Sequence, residues 1–547
     1  MASEVKHGVC NLCEAICGLK ITLTDGAITD IRGDQDDPLS RGHICPKGVA
    51  LADLYADPDR LRRPLRRRRN PADPTGASDT WDELGWPEAL DLAASRLAEV
   101  IARGGRDSVG VYLGNPNAHS LGFATHGLAL VKSLGTKNLF SASSVDQLPH
   151  QLVAHWMFGH QLMLPIPDLD RTDHFLVIGA NPMASNGSLM TAPDFPSRMR
   201  ELRQRGGRLV VLDPRRTETA KIADEHHFVR PGSDVFVVLA MVATLIAEGV
   251  ATWPAYAAVD RAQLEAALAP FTPERAEAAS GLPAADVCRL AREFAAAKAA
   301  VAYGRLGVSA TEHGTLGVWA ITLLNTLTGN LDQAGGAMFT TPAIDIVGRR
   351  IVGPGHHGLW HSRVRGLPET ANEFPVAALA EEIQTPGKGQ IKALLTIAGN
   401  PVLSTPDGAG LERALAELDF MVAVDFYLNE TTRHADLILP PTSHLERDHY
   451  DLAFSALAVR NTARFTTAVL STQAGSLADW RIFAGLARRL ATKTRLPLRK
   501  RLKLSARLAA SPRQIVRLLL RQGDSGLTLA AVLARPSGVD LGPLRPG

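Results

Sequence analysis

The chain has 547 residues, 45% of them hydrophobic and 21% charged. That excludes a disordered or low-complexity polypeptide and, at about 150 residues per domain, provides for three or four packed cores. Lys and Arg number 59 against 56 Asp and Glu, and aromatic residues make up 5%, so neither charge nor base-stacking surface points to a nucleic-acid partner.

Residues Met1 to His7 show neither a basic segment leading into an apolar one nor a twin-arginine pair; the expected compartment is the cytoplasm. Four of the five cysteines follow at once, Cys10, Cys13, Cys17 and Cys45, in the pattern C-x2-C-x3-C-x27-C. Closely spaced thiolates with a distant fourth suit tetrahedral zinc or a [4Fe–4S] cube. A single C-x2-C knuckle favours iron–sulfur. Residues 19–33 alternate apolar and polar around Asp25-Gly26, a hairpin signal that sets the cysteines in a small β-rich cap. Lys47, just past Cys45, would stabilise a reduced, anionic cluster; a solvated surface lysine fits the spacing equally well.

The arginine-rich stretch 60–69 reads as a solvated or docking face. Residues 174–182 (HFLVIGANP) form an apolar, β-branched run ending in Gly-x-Asn-Pro, then a helix-like segment from Pro196 to Gly206 and a second strand, 208–213. This is a βαβ unit with its loops at the carboxyl ends of the strands, where open α/β sheets bind ligands. Val235 to Ala247 is apolar but shorter than the about 20 residues of a membrane span, and reads as a buried helix. Cys288, alone on a helical stretch, reads as a small buried hydrophobe.

The pattern then repeats. Residues 393–401 (ALLTIAGNP) run into Gly399-Asn400-Pro401, and 421–425 form a strand ending at Asp425. Asp213 is followed by Asp224 as Asp425 is by Asp436, at the same spacing, and each copy runs on to a proline, Pro231 or Pro440. Two strand-end loops carrying Asn and Asp suggest two similar ligand halves, with Asp able to accept from a ribose hydroxyl or a guanine edge. Neither copy has the glycine pattern of a standard dinucleotide or nucleoside-triphosphate loop. Residues 488–521 are again arginine-rich, and the end (ARPSGVDLGPLRPG) is linker-like.

Together these residues resemble the molybdopterin oxidoreductases of the DMSO-reductase superfamily, which include formate dehydrogenases and nitrate reductases. The cysteines with Cys45-Pro-Lys-Gly48 resemble that family's [4Fe–4S] cap and relay lysine. Trp86-Pro-Glu-Ala-Leu90 is similar to the segment opening its next domain. Gly179, Asn181, Pro182, Asp213, Arg215, Gly232 and Asp234 resemble its contacts to one molybdopterin guanine dinucleotide. Gly399, Asn400, Pro401 and Asp425 resemble the contacts to the other, with His444 in a late signature of the same site, and Leu327-Thr-Gly-Asn330 matches a further motif.

The resemblance implies a molybdenum (or tungsten) bis-molybdopterin guanine dinucleotide, a [4Fe–4S] cluster, a small-molecule substrate and a redox partner protein or soluble acceptor. The family's metal-completing side chain lies between a Gly-x-x-Asn segment and a Pro. Here the slot falls on Asp146, with Ser143 and Ser144 as back-ups, where formate dehydrogenases have Cys or selenocysteine followed by His. A carboxylate is a plausible hard ligand for oxidised molybdenum; a helix N-cap is the structural alternative. His150 and His155 follow as candidate lining of a substrate funnel.

The expected fold is α/β in four parts. A [4Fe–4S] cap spans 1–60, and a discontinuous α/β domain spans 61–150 and 340–490. A Rossmann-like insert spans 151–339, and a basic helical segment with a linker-like tail spans 491–547. The family's C-terminal β-barrel lid is absent before Gly547, so a partner or a missing segment is expected to supply it.

Overall fold

A computed structural model of the chain describes residues 2–70, 72, 78–256 and 258–547. The alternating segments Gly18–Thr24 and Ala27–Gly33 pair antiparallel across Asp25 and Gly26. Both turn residues are left-handed (φ 50° and 84°), which matches the twist of a two-residue hairpin. Ser3–Val9 adds a third strand. Leu19, Ile21, Leu23 and Ile31 on one face bury together with Cys10 and Cys17, so the sheet and the cysteine loop share one core.

Two parallel sheets form the body. In the first, the order is Glu225–His227, Arg208–Leu212, His174–Ile178, Ala300–Gly304. The second centres on Leu437–Ile438, Phe420–Val424, Ala393–Ile397 and Val109–Leu113, the same order with the closing strand drawn from earlier in the chain. Leu139–Ser141 extends one edge; Leu65–Arg68 and Thr80–Glu83 extend the other, antiparallel.

The central strands read as continuous apolar runs because both faces are covered, as parallel sheets require. Leu176 and Ile178 face one core, Phe175 and Val177 the other. Ala393, Leu395 and Ile397 likewise face one core and Leu394 another. The apolar segment past Asp234 is a helix, Asp234–Ala247, buried against the first sheet. No helix among the described residues is long and apolar enough to cross a membrane.

Two expectations are corrected. The arginine run 60–69 is only in part a solvated face: Arg63, Arg68 and Arg69 are exposed, but Arg66 and Arg68 pair with Asp82, Arg69 with Asp436, and the largely buried Arg67 with Asp79 along the antiparallel edge. Arg60 and Glu446 form a buried ion pair, and removing one partner of such a pair costs about 3–5 kcal/mol. Nor is the Pro-rich end linker-like. Val539–Gly542 pairs antiparallel with Asn461–Ala463, and Leu544 is fully buried. The prolines sit where no ladder bond is needed, and Arg171 holds the Leu544 carbonyl at 2.5 Å.

The first sheet's edge strand Ala300–Gly304 finds its missing partners in a side chain. Asn325 accepts from the Ala302 N–H and donates to its carbonyl, each at 2.9 Å. Asn325→Leu strands both groups in a buried setting. We expect it to lower stability by about 1–3 kcal/mol and to raise amide exchange across residues 300–304, read by hydrogen–deuterium exchange on the intact chain.

Candidate functional site

Each parallel sheet reverses its winding between the first strand of its repeat and the closing strand, and at that point two loops meet backbone to backbone. A Cβ on Gly179 would sit 2.9 Å from Gly307 Cα, and one on Gly114 would sit 2.5 Å from Gly399 Cα. Only glycines allow that approach. The crevice of an open α/β sheet lies at this reversal.

The two repeats then build matching loops. Asn181 Oδ1 accepts from the Thr219 N–H (3.1 Å) and hydroxyl (2.8 Å), while its Nδ2 donates to Glu218 (2.6 Å). Asn400 Oδ1 accepts from the Thr431 hydroxyl (2.6 Å), and its Nδ2 donates to Glu430 (2.8 Å). The threonine oxygens accept in turn from Met183 N–H and Val402 N–H, just past Pro182 and Pro401. Each carboxamide also holds its glutamate below the usual carboxylate range. Both Asn side chains are therefore engaged within the chain. They shape the loops.

Those aspartates match as well. Asp213 Oδ1 accepts from Arg215 N–H at 2.8 Å; Asp425 Oδ1 accepts from Phe426 N–H at 2.7 Å and Tyr427 N–H at 3.3 Å. The second carboxylate oxygen of each has no partner among the described residues. Burial pushes the Asp213 carboxyl up and that of Asp425 to about 6. Asp234, in the first turn of its helix, is raised to about 6 by burial, and its Oδ1 is buried and unpartnered. Arg215 is exposed, and Gly232 turns the chain at φ 78°. The later pair, Asp224 and Asp436, is structural: each carboxylate accepts from the second N–H of the neighbouring strand, Leu209 or Met421, at 2.8 Å.

In the cap, Cys10 N–H donates to the Cys17 carbonyl, and Cys45 precedes the short helix Pro46–Val49. Burial pushes Cys10 up to about 11 and raises Cys13 and Cys17, with the other thiols adding to the rise and Lys47 opposing it at Cys10 and Cys13. Lys47 is exposed. No three His, Cys, Asp or Glu side chains among the described residues form a set for a single metal ion. Four cysteines gathered this way without closing on a single ion, three of them thiols that burial makes resist ionisation as bare groups, suit a larger polynuclear cation. His444 lies under the cap, hydrogen-bonded to the Val9 backbone, and burial holds it down to about 3.

Asp146 is not a helix N-cap. That place before Leu148–Phe158 belongs to Gln147, and the Asp146 carboxylate instead accepts from buried Arg305 at 2.8 Å while remaining 44% exposed. Arg305 Nε donates to the Ser188 hydroxyl (2.9 Å), which donates to Glu14 (3.0 Å), and Glu14 also takes the Leu189 N–H (2.6 Å). A chain of side chains thus joins the Asp146 slot to the loop between Cys13 and Cys17. The alternative serines are occupied: Ser143 by Ser141, Ser144 by the Val376 N–H. His150 bonds the Gly304 carbonyl and is held down to about 3 by burial and Arg305, so it stands neutral beside this network. His155 instead bonds the Pro354 carbonyl at the surface.

Sequence reasoning missed Gly114, Gly307, Arg305 and the Glu-Thr pairs. Of these only the pairs left a signal, Glu218-Thr219 and Glu430-Thr431 recurring at like positions in the two repeats.

A family model for molybdopterin oxidoreductase matches residues 60–489, and one for the molybdopterin oxidoreductase Fe4S4 domain matches residues 3–57. The F420-dependent formate dehydrogenase 2 subunit alpha of Methanococcus maripaludis is 26% identical, over 90% of this chain and 71% of that protein. Formate dehydrogenase H of Escherichia coli is 26% identical over 88% and 68%. The nitrate reductase of Symbiobacterium thermophilum is 27% identical over 80% and 60%. In fold, the chain is similar to acetylene hydratase from Pelobacter acetylenicus, with a TM-score of 0.75 at 20% identity over 92% of this chain and 72% of that one.

The raised Asp425 value has a direct consequence. Between about pH 4 and pH 6 the folded chain keeps a proton that the unfolded chain, with an ordinary value of about 3.9, has released. Stability is therefore lost as pH rises through that window. Asp425→Asn removes the effect. Its thermal midpoint without cofactor should exceed the parent's at pH 7, with the gap narrowing toward pH 4.5.

Proposed function

The chain belongs to the molybdopterin oxidoreductase family, and from that premise we propose how its own residues divide the work. It is an enzyme of that class with an Fe4S4 domain. When bound, a molybdenum or tungsten bis-pterin guanine dinucleotide supplies two-electron oxo or hydride transfer, and a [4Fe–4S] cluster carries electrons singly.

Cys10, Cys13, Cys17 and Cys45 would hold the cluster, with Lys47 two residues past the last of them as its relay lysine. One dinucleotide lies at the Gly179–Pro182 loop with Asp213, Arg215, Gly232 and Asp234. The other lies at Gly399–Pro401 with Asp425. The free oxygens of Asp213 and Asp425 accept from donors on each dinucleotide. His444, beneath the cap with a buried and unpartnered Nε2, belongs to the second dinucleotide's site.

Asp146 is the protein ligand to the metal. The observation that carries this reading is the Asp146–Arg305 contact: one carboxylate oxygen is fixed by a buried guanidinium while half of the side chain stays open. Arg305 orients that carboxylate, and through Ser188 and Glu14 it ties the metal slot to the cysteine loop, holding the two redox sites in register. The substrate is a small molecule, and the acceptor is a redox protein or a soluble carrier.

The test is metal and pterin content of protein purified without oxygen. The reading requires about four Fe, one Mo or W and two pterins per chain; iron with neither Mo, W nor pterin would sink it. Dye-linked assays with formate and with nitrate then separate the two activities named among the relatives. Arg305→Met should lower turnover about 10–100-fold with iron unchanged. Full turnover in that variant would rule out Arg305 as the residue that orients Asp146.

A further inference from the structure

The cap receives a second cation from the far end of the chain. Arg464 follows the strand Asn461–Ala463, whose partner is Val539–Gly542. Its side chain is 10% exposed. One arm donates to the Ile16 carbonyl; the other pairs with buried Asp37, whose Oδ1 already takes the Leu39 and Ser40 N–H groups at 2.8 Å. Ile16, between Cys13 and Cys17, is left-handed at φ 42°. A β-branched residue pays for that conformation and keeps it only where its surroundings hold it. A Cβ at Gly18 would sit 2.3 Å from Asp37 Oδ2 and 2.8 Å from Arg464 Nη1, so the ion pair fills the space beside the residue that follows Cys17.

We infer that Arg464 is a positioning residue of the iron–sulfur site. It fixes the Cys13–Cys17 loop through the Ile16 carbonyl, and its buried charge beside Cys17 favours the reduced cluster. The inference rests on the four cysteines holding that cluster. Reduction adds negative charge to a group already anionic through its thiolates, and a nearby cation stabilises the more negative state. Lys47 is exposed, so water and salt screen it; Arg464 is enclosed, where the same charge acts more strongly. Asp37 offsets part of the effect: its Oδ1 takes the Leu39 and Ser40 N–H groups and its Oδ2 faces the guanidinium, whose other arm bonds Ile16.

Redox titration of the cluster by EPR on the anaerobically purified chain, with iron counted on each sample, tests this. Arg464→Gln paired with Asp37→Asn avoids stranding a buried carboxylate, and Arg464→Lys keeps the charge without the fork. We expect the paired variant to titrate at a more negative potential than the parent, and Arg464→Lys to stay close to the parent. Loss of iron from a paired variant whose thermal unfolding matches the parent's would equally support the positioning role. A paired variant with full iron and the parent's potential would overturn the inference. So would an Arg464→Lys potential that falls as far as the paired variant's. A parent chain without iron would overturn the cysteine assignment, and this inference with it.

Discussion

Two glycine-to-glycine contacts set the geometry on which the candidate site depends. Parallel strands wound in opposite directions from a common centre leave a crevice at their carboxyl ends. In this chain the crevice floor is backbone lying directly on backbone, Gly179 on Gly307 and Gly114 on Gly399. A side chain at any of these four positions would force the strands apart. With the loops fixed so closely, Asn181 and Asn400 reach the same Glu-Thr pair in each repeat, and Asp213 and Asp425 present one free oxygen each. The pseudo-symmetry is thus held by hydrogen bonds as well as by strand order.

Buried charge does the rest of the positioning. Arg305 comes from the end of an edge strand in the first sheet and joins Asp146 to Glu14 through Ser188. Arg464 comes from the last part of the chain and reaches the loop that carries Cys17. In each case a guanidinium planted in one unit satisfies groups in another, and its planar fork fixes direction as well as distance. Such contacts add little net stability, because desolvation offsets much of the attraction, but breaking them is costly. Their effect is to make the cap, the segment carrying Asp146 and the two sheets a single arrangement.

Several elements were legible from local pattern. The hairpin over 19–33 followed from period-two alternation around Asp25-Gly26, and the strand at 174–178 from an unbroken apolar run. The repeat at 393–401 followed from its likeness to 174–182. What misled were features whose meaning depends on distant partners. Arg60 and Arg67 looked solvated because their partners, Glu446 and Asp79, are not their sequence neighbours. The Pro-rich end looked like a linker because the strand it pairs with lies about 80 residues earlier. Asp224 and Asp436 recurred faithfully, yet their recurrence reports strand pairing and not ligand contact.

By itself the sequence determined the donor chemistry: four thiols at cluster spacing, a lysine beside the last, and two strand-end loops each with an Asn and an Asp. These are local, because a strand's end and a cysteine loop's reach are fixed within a few residues. Only the tertiary structure decided which of those groups remain free to meet a ligand. The Asn side chains are engaged within their own loops, the Asp oxygens are open, and Asp146 is aimed by Arg305. A side chain's availability depends on who else is within hydrogen-bonding distance, and in a chain folded from interleaved segments those neighbours lie from 30 to 159 positions away.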